Sequence, residues 1–257
     1  MPPTHFEMIN PQAIYDLLLD YGTDTTLIQE VIIGLTWTIC RGKKIGLCMS
    51  PTIPTRTLSW SGTLVNQTIA DVAPWLRSWD AYQATIGMAA INAVINSQSN
   101  LLETSQPVFS SGPANLAVFE HFLPQLRGKR VSVIGHYPGL NRYETEMQIN
   151  IIELKPSPGD FPAPASEYLL PESDWVFLTG TSIPNKTFPR LVELSRNAKL
   201  VLMGPTVPWL AELAEFGIDY LAGVTVVDPK VLRQTVAEGG GVRIFETGVQ
   251  YQLYDFS

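Results

Sequence analysis

Few side chains in this sequence suit acid–base work or ligand holding, and most of them fall just after short apolar runs. His136 follows RVSVIG, directly behind Gly135. Glu153 closes QINIIE. Thr179, Gly180 and Thr181 follow WVFL, with Asn185 soon after, and Gly204 and Thr206 follow KLVLM. An imidazole exchanges protons near neutral pH. Carboxylates accept hydrogen bonds, threonine hydroxyls donate and accept them, and glycines let a ligand reach the backbone. Such a set suits a small polar ligand, an anion or a sugar-like group. Each residue also has a structural reading. The glycines serve as turns, Thr181 and Thr206 as helix caps, Glu153 as a solvated surface acid and His136 as a strand-end residue. The spacing names no nucleophile and no general base.

The nucleotide motifs are missing. A dinucleotide fingerprint needs G-x-G-x-x-G, whereas the first loop reads GHYPGL, and Pro138 removes an N–H that a pyrophosphate could use. No P-loop, G-x-S-x-G or C-x-x-C occurs. Gly239–Gly241 follows a helical stretch and reads as its stop. No cofactor is specified, although Glu153 stands where a doubly wound sheet holds its ribose-binding acid. Metal ligands are scattered: His5 is near the start, His121 falls in a helix, and Cys40 and Cys48 lie in the first half. No local ligand spacing marks a metal site, so one would have to be assembled from distant loops, for instance His136 with Glu153.

The elements that must position these residues alternate. Strands are expected at 130–134, 148–154, 175–179, 200–203, 220–226 and 242–245, and helices at 115–126, 186–197, 208–216 and 229–238. Asp228 followed by Pro229 is an N-cap with proline at the first helical position. Nearly all-apolar strands such as KLVLM belong inside a parallel sheet. The fold class is therefore α/β, with a mostly parallel sheet whose strand ends bring Gly135, Thr181 and Thr206 to one edge. The first half reads differently. A helix over 11–21 is capped by Asn10 and stopped by Gly22. A β-rich run over 27–40, with Gly34 as a bulge, turns at 41–44 and returns over 45–49. A long loop at 50–66, a helical piece at 69–76 and a helix over 81–96 follow. The Gly87, Ala89, Ala90 and Ala93 face of that last helix suggests close packing. Pairing Cys40 with Ile45 would put the two thiols on opposite faces, and a one-residue slip would reunite them. The Ser-, Pro- and Gly-rich stretch 103–114 reads as a boundary. It separates an α+β domain over 1–105 from an α/β domain over 112–257.

Composition sets outer limits. With 257 residues, 45% hydrophobic and 16% charged, the chain can bury a sizeable core. A net charge of -7 without lysine or arginine clusters argues against nucleic acid and anionic membranes as partners. The basic run Arg41–Lys44 reads as a hairpin turn. The opening residues lack a basic start and an apolar stretch, and no apolar run approaches the roughly 20 residues of a membrane span. A cytoplasmic location is the expectation, with a small-molecule ligand as partner and a homo-oligomer as an open alternative.

Several separated runs resemble one family in order: GHYPGL after a strand, LTGTSIPNKTFPRLVELSRNAKLVLMGPTVP, FGIDYLAGVTVVDPKVLRQTVAEGGG and, in the first half, IGMAAINAVIN. They resemble the putative heavy-metal chelation family of uncharacterised proteins. The resemblance spans most of the chain. It implies an enolase-like N-terminal domain followed by a Rossmann-like domain. It also implies a role in handling metals or metal-binding small molecules. Three readings follow: a protein that binds or modifies a small polar metabolite, such as a metal chelator or its precursor, between the domains; a direct metal binder using His136 with carboxylates; and a nucleotide-linked transferase.

Overall fold

A computed structural model of the chain describes residues 10–256, so His5 lies outside the described residues. The first half builds a three-stranded antiparallel meander of β1 (Glu30–Ile33), β2 (Trp37–Arg41) and β3 (Ile45–Met49). The expected single strand over 27–40 is broken at Gly34. The Gly34 N–H bonds the Trp37 carbonyl, which makes a hairpin turn and not a bulge. A side chain there would collide with the Val236 carbonyl. The β2–β3 register differs by one residue from the expected one: Cys40 faces Gly46, and Cys48 faces Thr38. Both thiols therefore share one side of the meander, where they are buried and free.

Around the meander lie α1 (Ala13–Tyr21), α2 (Ile69–Val72), α3 (Ala81–Gln98) and α4 (Leu101–Thr104). α1 starts later than expected, because Asn10 Oδ1 accepts the Gln12 N–H at 3.0 Å and makes a turn of Pro11 and Gln12. Gly22 follows α1 with φ -74, so handedness does not require it; a Cβ there would lie 2.6 Å from Ala73 Cβ. α3 is capped by Asp80, whose side chain accepts the Gln83 N–H. Its small face is a packing face. Gly87 meets the backbone of Leu76, and Gly46 of β3 meets the backbone of Ala89 and Ala93. One helical turn apart, Asn92 and Asn96 donate to the Leu47 and Ile45 carbonyls, each at 2.9 Å. They thereby close the outer edge of β3, which would otherwise offer unpaired carbonyls.

The second half forms the large sheet from β4 (Gln106–Pro107), β5 (Arg130–Ile134), β6 (Gln148–Glu153), β7 (Phe161–Pro162), β8 (Trp175–Thr179), β9 (Lys199–Met203), β10 (Tyr220–Val226) and β11 (Val249–Asp255). Their order is β4-β11-β10-β9-β8-β5-β6-β7. β5 to β10 are parallel, β11 runs antiparallel to β10 beside them, and the short β4 pairs antiparallel with β11 at the edge and so runs with the parallel set. Numbering the parallel strands in chain order turns their arrangement into 3-2-1-4-5-6, the order of doubly wound nucleotide-binding sheets. The helices are α5 (Ala117–Leu126), α6 (Ser166–Leu169), α7 (Phe188–Leu194), α8 (Pro229–Ala237) and α9 (Ile244–Thr247). Asp228 caps α8 by accepting from Lys230 and Val231.

Three expectations need correction here. The strand expected at 242–245 is a turn leading into α9, and the true last strand is β11, whose Val249, Tyr251 and Leu253 alternate inward. The helix expected at 208–216 is a 3-10 turn over Ala211–Phe216. The boundary stretch is not wholly loop, because Gln106 and Pro107 pair with β11.

Alternating strand residues feed two cores, one on each face of the large sheet. Val176, Leu178, Leu200 and Leu202 pack with Ile14, Leu18, Ile91 and Cys48. Phe177, Val201 and Met203 pack with Phe119, Val236, Trp37, Ile39 and Leu47. Each core thus draws on both halves of the chain. Arg233 of α8 adds a two-pronged ion pair to Glu30 of β1, both contacts at 2.5 Å. Among the described residues, no helix is long and apolar enough to cross a membrane.

Candidate ligand site at the strand ends

The strand order reverses between β5 and β8, which lie side by side. In open α/β sheets the crevice at such a point, outside the carboxyl ends of the strands, is where ligands bind. Gly135 leaves β5 at φ +105, a conformation open to glycine, and its N–H reaches across to the Ile152 carbonyl at 3.0 Å. Thr179 ends β8 beside it: a Cβ on Gly135 would stand 3.5 Å from Thr179 Cβ. Thr179 Oγ1 accepts the Thr181 N–H at 3.3 Å and lies 3.2 Å from Thr181 Oγ1. Both threonines are partly exposed.

Glu153 turns back onto its own loop. Its Oε1 accepts the His136 N–H at 2.8 Å and its Oε2 the Leu154 N–H at 2.9 Å. It thereby fixes the backbone on which the His136 ring is mounted. The side-chain partner of His136 is Asp160, 3.1 Å from Nδ1, with only 4% of the aspartate side chain exposed. The crossover from β5 to β6 contains only a 3-10 turn, Leu140–Tyr143, and so offers no α-helix N-terminus to a pyrophosphate.

The remaining expected residues are placed differently. Gly180 is buried because the 206–207 backbone passes over it; a Cβ there would lie 2.8 Å from Val207 N. Gly204, at φ +104, is buried below Tyr137, whose hydroxyl would be 3.6 Å from a Cβ on it. Thr206 is 1% exposed, and its hydroxyl accepts the Met49 N–H at 3.0 Å. Asn92 Nδ2 donates to the Thr206 carbonyl at 3.0 Å. Thr206 therefore sits in the joint between the halves, below the crevice. Asn185 is exposed, and its Oδ1 accepts from the N–H and hydroxyl of Thr187.

The first half reaches over this edge. Thr181 Oγ1 lies 3.7 Å from Met49 Sδ, and Lys155 Nζ donates to the Thr52 carbonyl at 2.5 Å. Tyr82 holds the same loop through the Ile53 carbonyl at 2.8 Å. Three contributors were not legible in the sequence: Asp160, Tyr137 and Met49. Asp160 falls in a turn-type run, PSPGD, with no spacing relation to His136. Tyr137 packs its ring on Phe119 at 5.4 Å, and burial pushes its phenol above the ordinary value.

Among the described residues, the donor set at these strand ends does not fit chelation of an ion by side chains alone. Among the described residues, no three His, Cys, Asp or Glu side chains gather into a metal-holding group. Glu153 is engaged by two N–H groups and Asp160 by the imidazole. The two cysteines lie in the joint, where burial pushes both thiols up to about 12.

Fold and edge together define a two-sheet α/β protein whose large sheet reverses its strand order between β5 and β8. Two family models, both described as putative heavy-metal chelation, match residues 117–255 and 15–95, and the chain belongs to that family. It is 33% identical to a protein of unknown function from Desulfitobacterium hafniense, a member of the DUF364 family. That crystal structure superposes with a TM-score of 0.83 over 95% of this chain and 98% of the other. A second DUF364 structure, of a protein of unknown function from Pyrococcus horikoshii, shares the fold at 20% identity. Its TM-score is 0.73, over 95% of this chain and 99% of the other. An uncharacterized protein of Methanocaldococcus jannaschii is 31% identical over 172 residues, which span 64% of this chain and 62% of that relative.

Proposed function

We propose that the chain binds a small polar metabolite, a metal chelator or its precursor, in the crevice over β5 and β8. Gly135, His136, Thr179 and Thr181 are the contacts in this reading. Glu153 holds the loop, Gly180, Gly204 and Thr206 form the floor, and Asn185 stands at the rim. The two halves act as domains over 1–105 and 112–257, enolase-N-like and Rossmann-like, with residues 49–53 closing the site from above. One observation carries the reading. The polar groups at the reversal of strand order lie beneath a loop of the other half, and junctions of this kind are frequent ligand sites. The family description supplies the metal-related class, and the donor set favours metal handled as a complex with a small molecule.

Native mass spectrometry of the protein as purified, with elemental analysis, tests this. The expected result is an organic molecule retained per chain. A bare metal ion at one per chain, lost in His136→Ala, would support direct metal binding instead. The placement of the His136 ring on a buried carboxylate is the observation that favours that second reading, because metal-ligating histidines are oriented in this way.

A further inference from the structure

We infer that His136 and Asp160 form an acid–base dyad, with Nε2 of His136 as the atom that takes a proton from a ligand over the strand ends and returns it. The inference rests on the crevice reading and adds chemistry to it. The Asp160 oxygens stand 3.2 and 3.1 Å from Nδ1 of His136. The nearer one also accepts the Ser157 N–H at 3.0 Å, so the carboxylate is fixed from two sides. An ionised carboxylate only accepts hydrogen bonds. In the neutral imidazole the hydrogen must therefore sit on Nδ1, and the lone pair is left on Nε2 at the far side of the ring.

Burial divides the pair in a useful way. The Asp160 side chain is 4% exposed and the His136 side chain 44%. The orienting carboxylate is out of water, while the imidazole that it orients is partly exposed. The backbone beneath the ring is held as well, since the His136 N–H bonds Glu153 Oε1 at 2.8 Å. A base with its other nitrogen held by a third group is the arrangement that general-base and nucleophilic sites share. His121 offers an internal contrast: on α5 it meets the edge of the Phe122 ring, with centroids 5.0 Å apart. In this scheme His136 is the catalytic residue and Asp160 a positioning residue.

Hydrolysis of p-nitrophenyl acetate by the full chain probes Nε2 without the natural ligand. A water oxygen bonds to the acyl carbon while one of its protons passes to Nε2. The ester C–O bond then breaks to release p-nitrophenolate and acetic acid, and Nε2 returns its proton to solvent. His136→Gln should lower kcat/KM at least tenfold and Asp160→Asn by a comparable factor, while His121→Gln leaves it unchanged. Long-range nitrogen–proton NMR of the imidazoles should show hydrogen on Nδ1 of His136 in the wild type, and Asp160→Asn should lose that signature. The dyad is overturned if His136→Gln hydrolyses the ester as the wild type does, or if wild-type His136 carries its hydrogen on Nε2. Should Asp160→Asn not fold, the wild-type NMR and His136→Gln decide alone. Because the ester needs no retained ligand, a working dyad in a protein that retains no molecule would sink the crevice reading and leave the dyad standing.

Discussion

The joint between the halves and the edge of the large sheet use the same residue types in opposite ways. In the joint, Gly46 admits the α3 backbone, Asn92 gives its amide hydrogens to the Leu47 and Thr206 carbonyls, and the Thr206 hydroxyl takes the Met49 N–H. These groups are buried and face one another. At the edge, Gly135 makes a left-handed turn, Thr179 and Thr181 pair with each other while partly exposed, and the His136 side chain stays partly exposed beside Asp160. Residue type therefore does not mark a site in this molecule. What separates the two regions is whether folding buries the polar side chains or leaves them partly exposed.

The largest effect that could break this contrast lies in the joint. Gly46→Ala would drive a methyl group into the backbone of Ala89 and Ala93, and neither partner can rotate away. Overpacking of this kind should cost about 3 kcal/mol, lowering the melting temperature by roughly 6–12 °C. Gly128→Ala is the control: its φ is +71 but nothing stands within 4 Å, so about 1 kcal/mol of backbone strain is expected. Equal melting temperatures for the two variants would remove the close-packed joint from the account.

Next comes Asn92→Ala, which leaves the Leu47 and Thr206 carbonyls without the amide that serves them both. A loss of about 1–3 kcal/mol is expected in denaturant unfolding. Asn96→Ala touches one carbonyl and should cost less.

The alkaline limb of stability sharpens the same contrast through charge. Burial pushes the Cys40 and Cys48 thiols from 9.0 up to about 12. The folded chain then keeps protons that the unfolded chain loses, so their contribution is whole below pH 9 and is lost as pH rises toward 12. Each thiol adds a slope of about 1.4 kcal/mol per pH unit at most. Lys186 works in the other direction. Its ammonium donates to the Leu76 and Pro184 carbonyls, and burial lowers it from 10.5 to about 8. The unfolded chain binds more protons between those values, so stability gains from Lys186 as pH rises across them. Denaturant midpoints at several pH values should fall above pH 9. The fall should flatten in the Cys40→Ala, Cys48→Ala double variant and steepen between pH 9 and 10.5 in Lys186→Met. An unchanged limb in the double variant would contradict the buried, shared face of the thiols.

The large sheet was legible because its strands are short apolar runs separated by glycine, proline and N-cap signals, as at Asp228–Pro229. Where sequence reasoning slipped, a tertiary partner decided. Gly34 and Gly22 read as local punctuation, yet each is glycine because another segment passes close, at Val236 and Ala73. β11 is hard to read although VQYQLYD alternates with period two, because the nearby apolar run at 242–245 competes with it as a strand. The β2–β3 register hinges on a turn of Gly42–Lys44, and apolar residues on both faces of those strands cannot fix a one-residue choice. At the candidate site the strand-end loops could be placed from fold logic alone. Which of their side chains stay available could not, since Thr206 and Thr181 look alike in sequence and differ only in what folds against them.

Thr179→Val and Thr206→Val, compared by native mass spectrometry of the proteins as purified, test the central claim most directly. Both keep the shape and remove one hydroxyl. The account predicts an organic molecule on the wild type, its affinity weakened roughly 2- to 12-fold in Thr179→Val by the loss of about 0.5–1.5 kcal/mol. Thr206→Val should retain the molecule and lose only stability. Loss of the molecule in Thr206→Val with full retention in Thr179→Val, or a wild type that carries nothing, would contradict it.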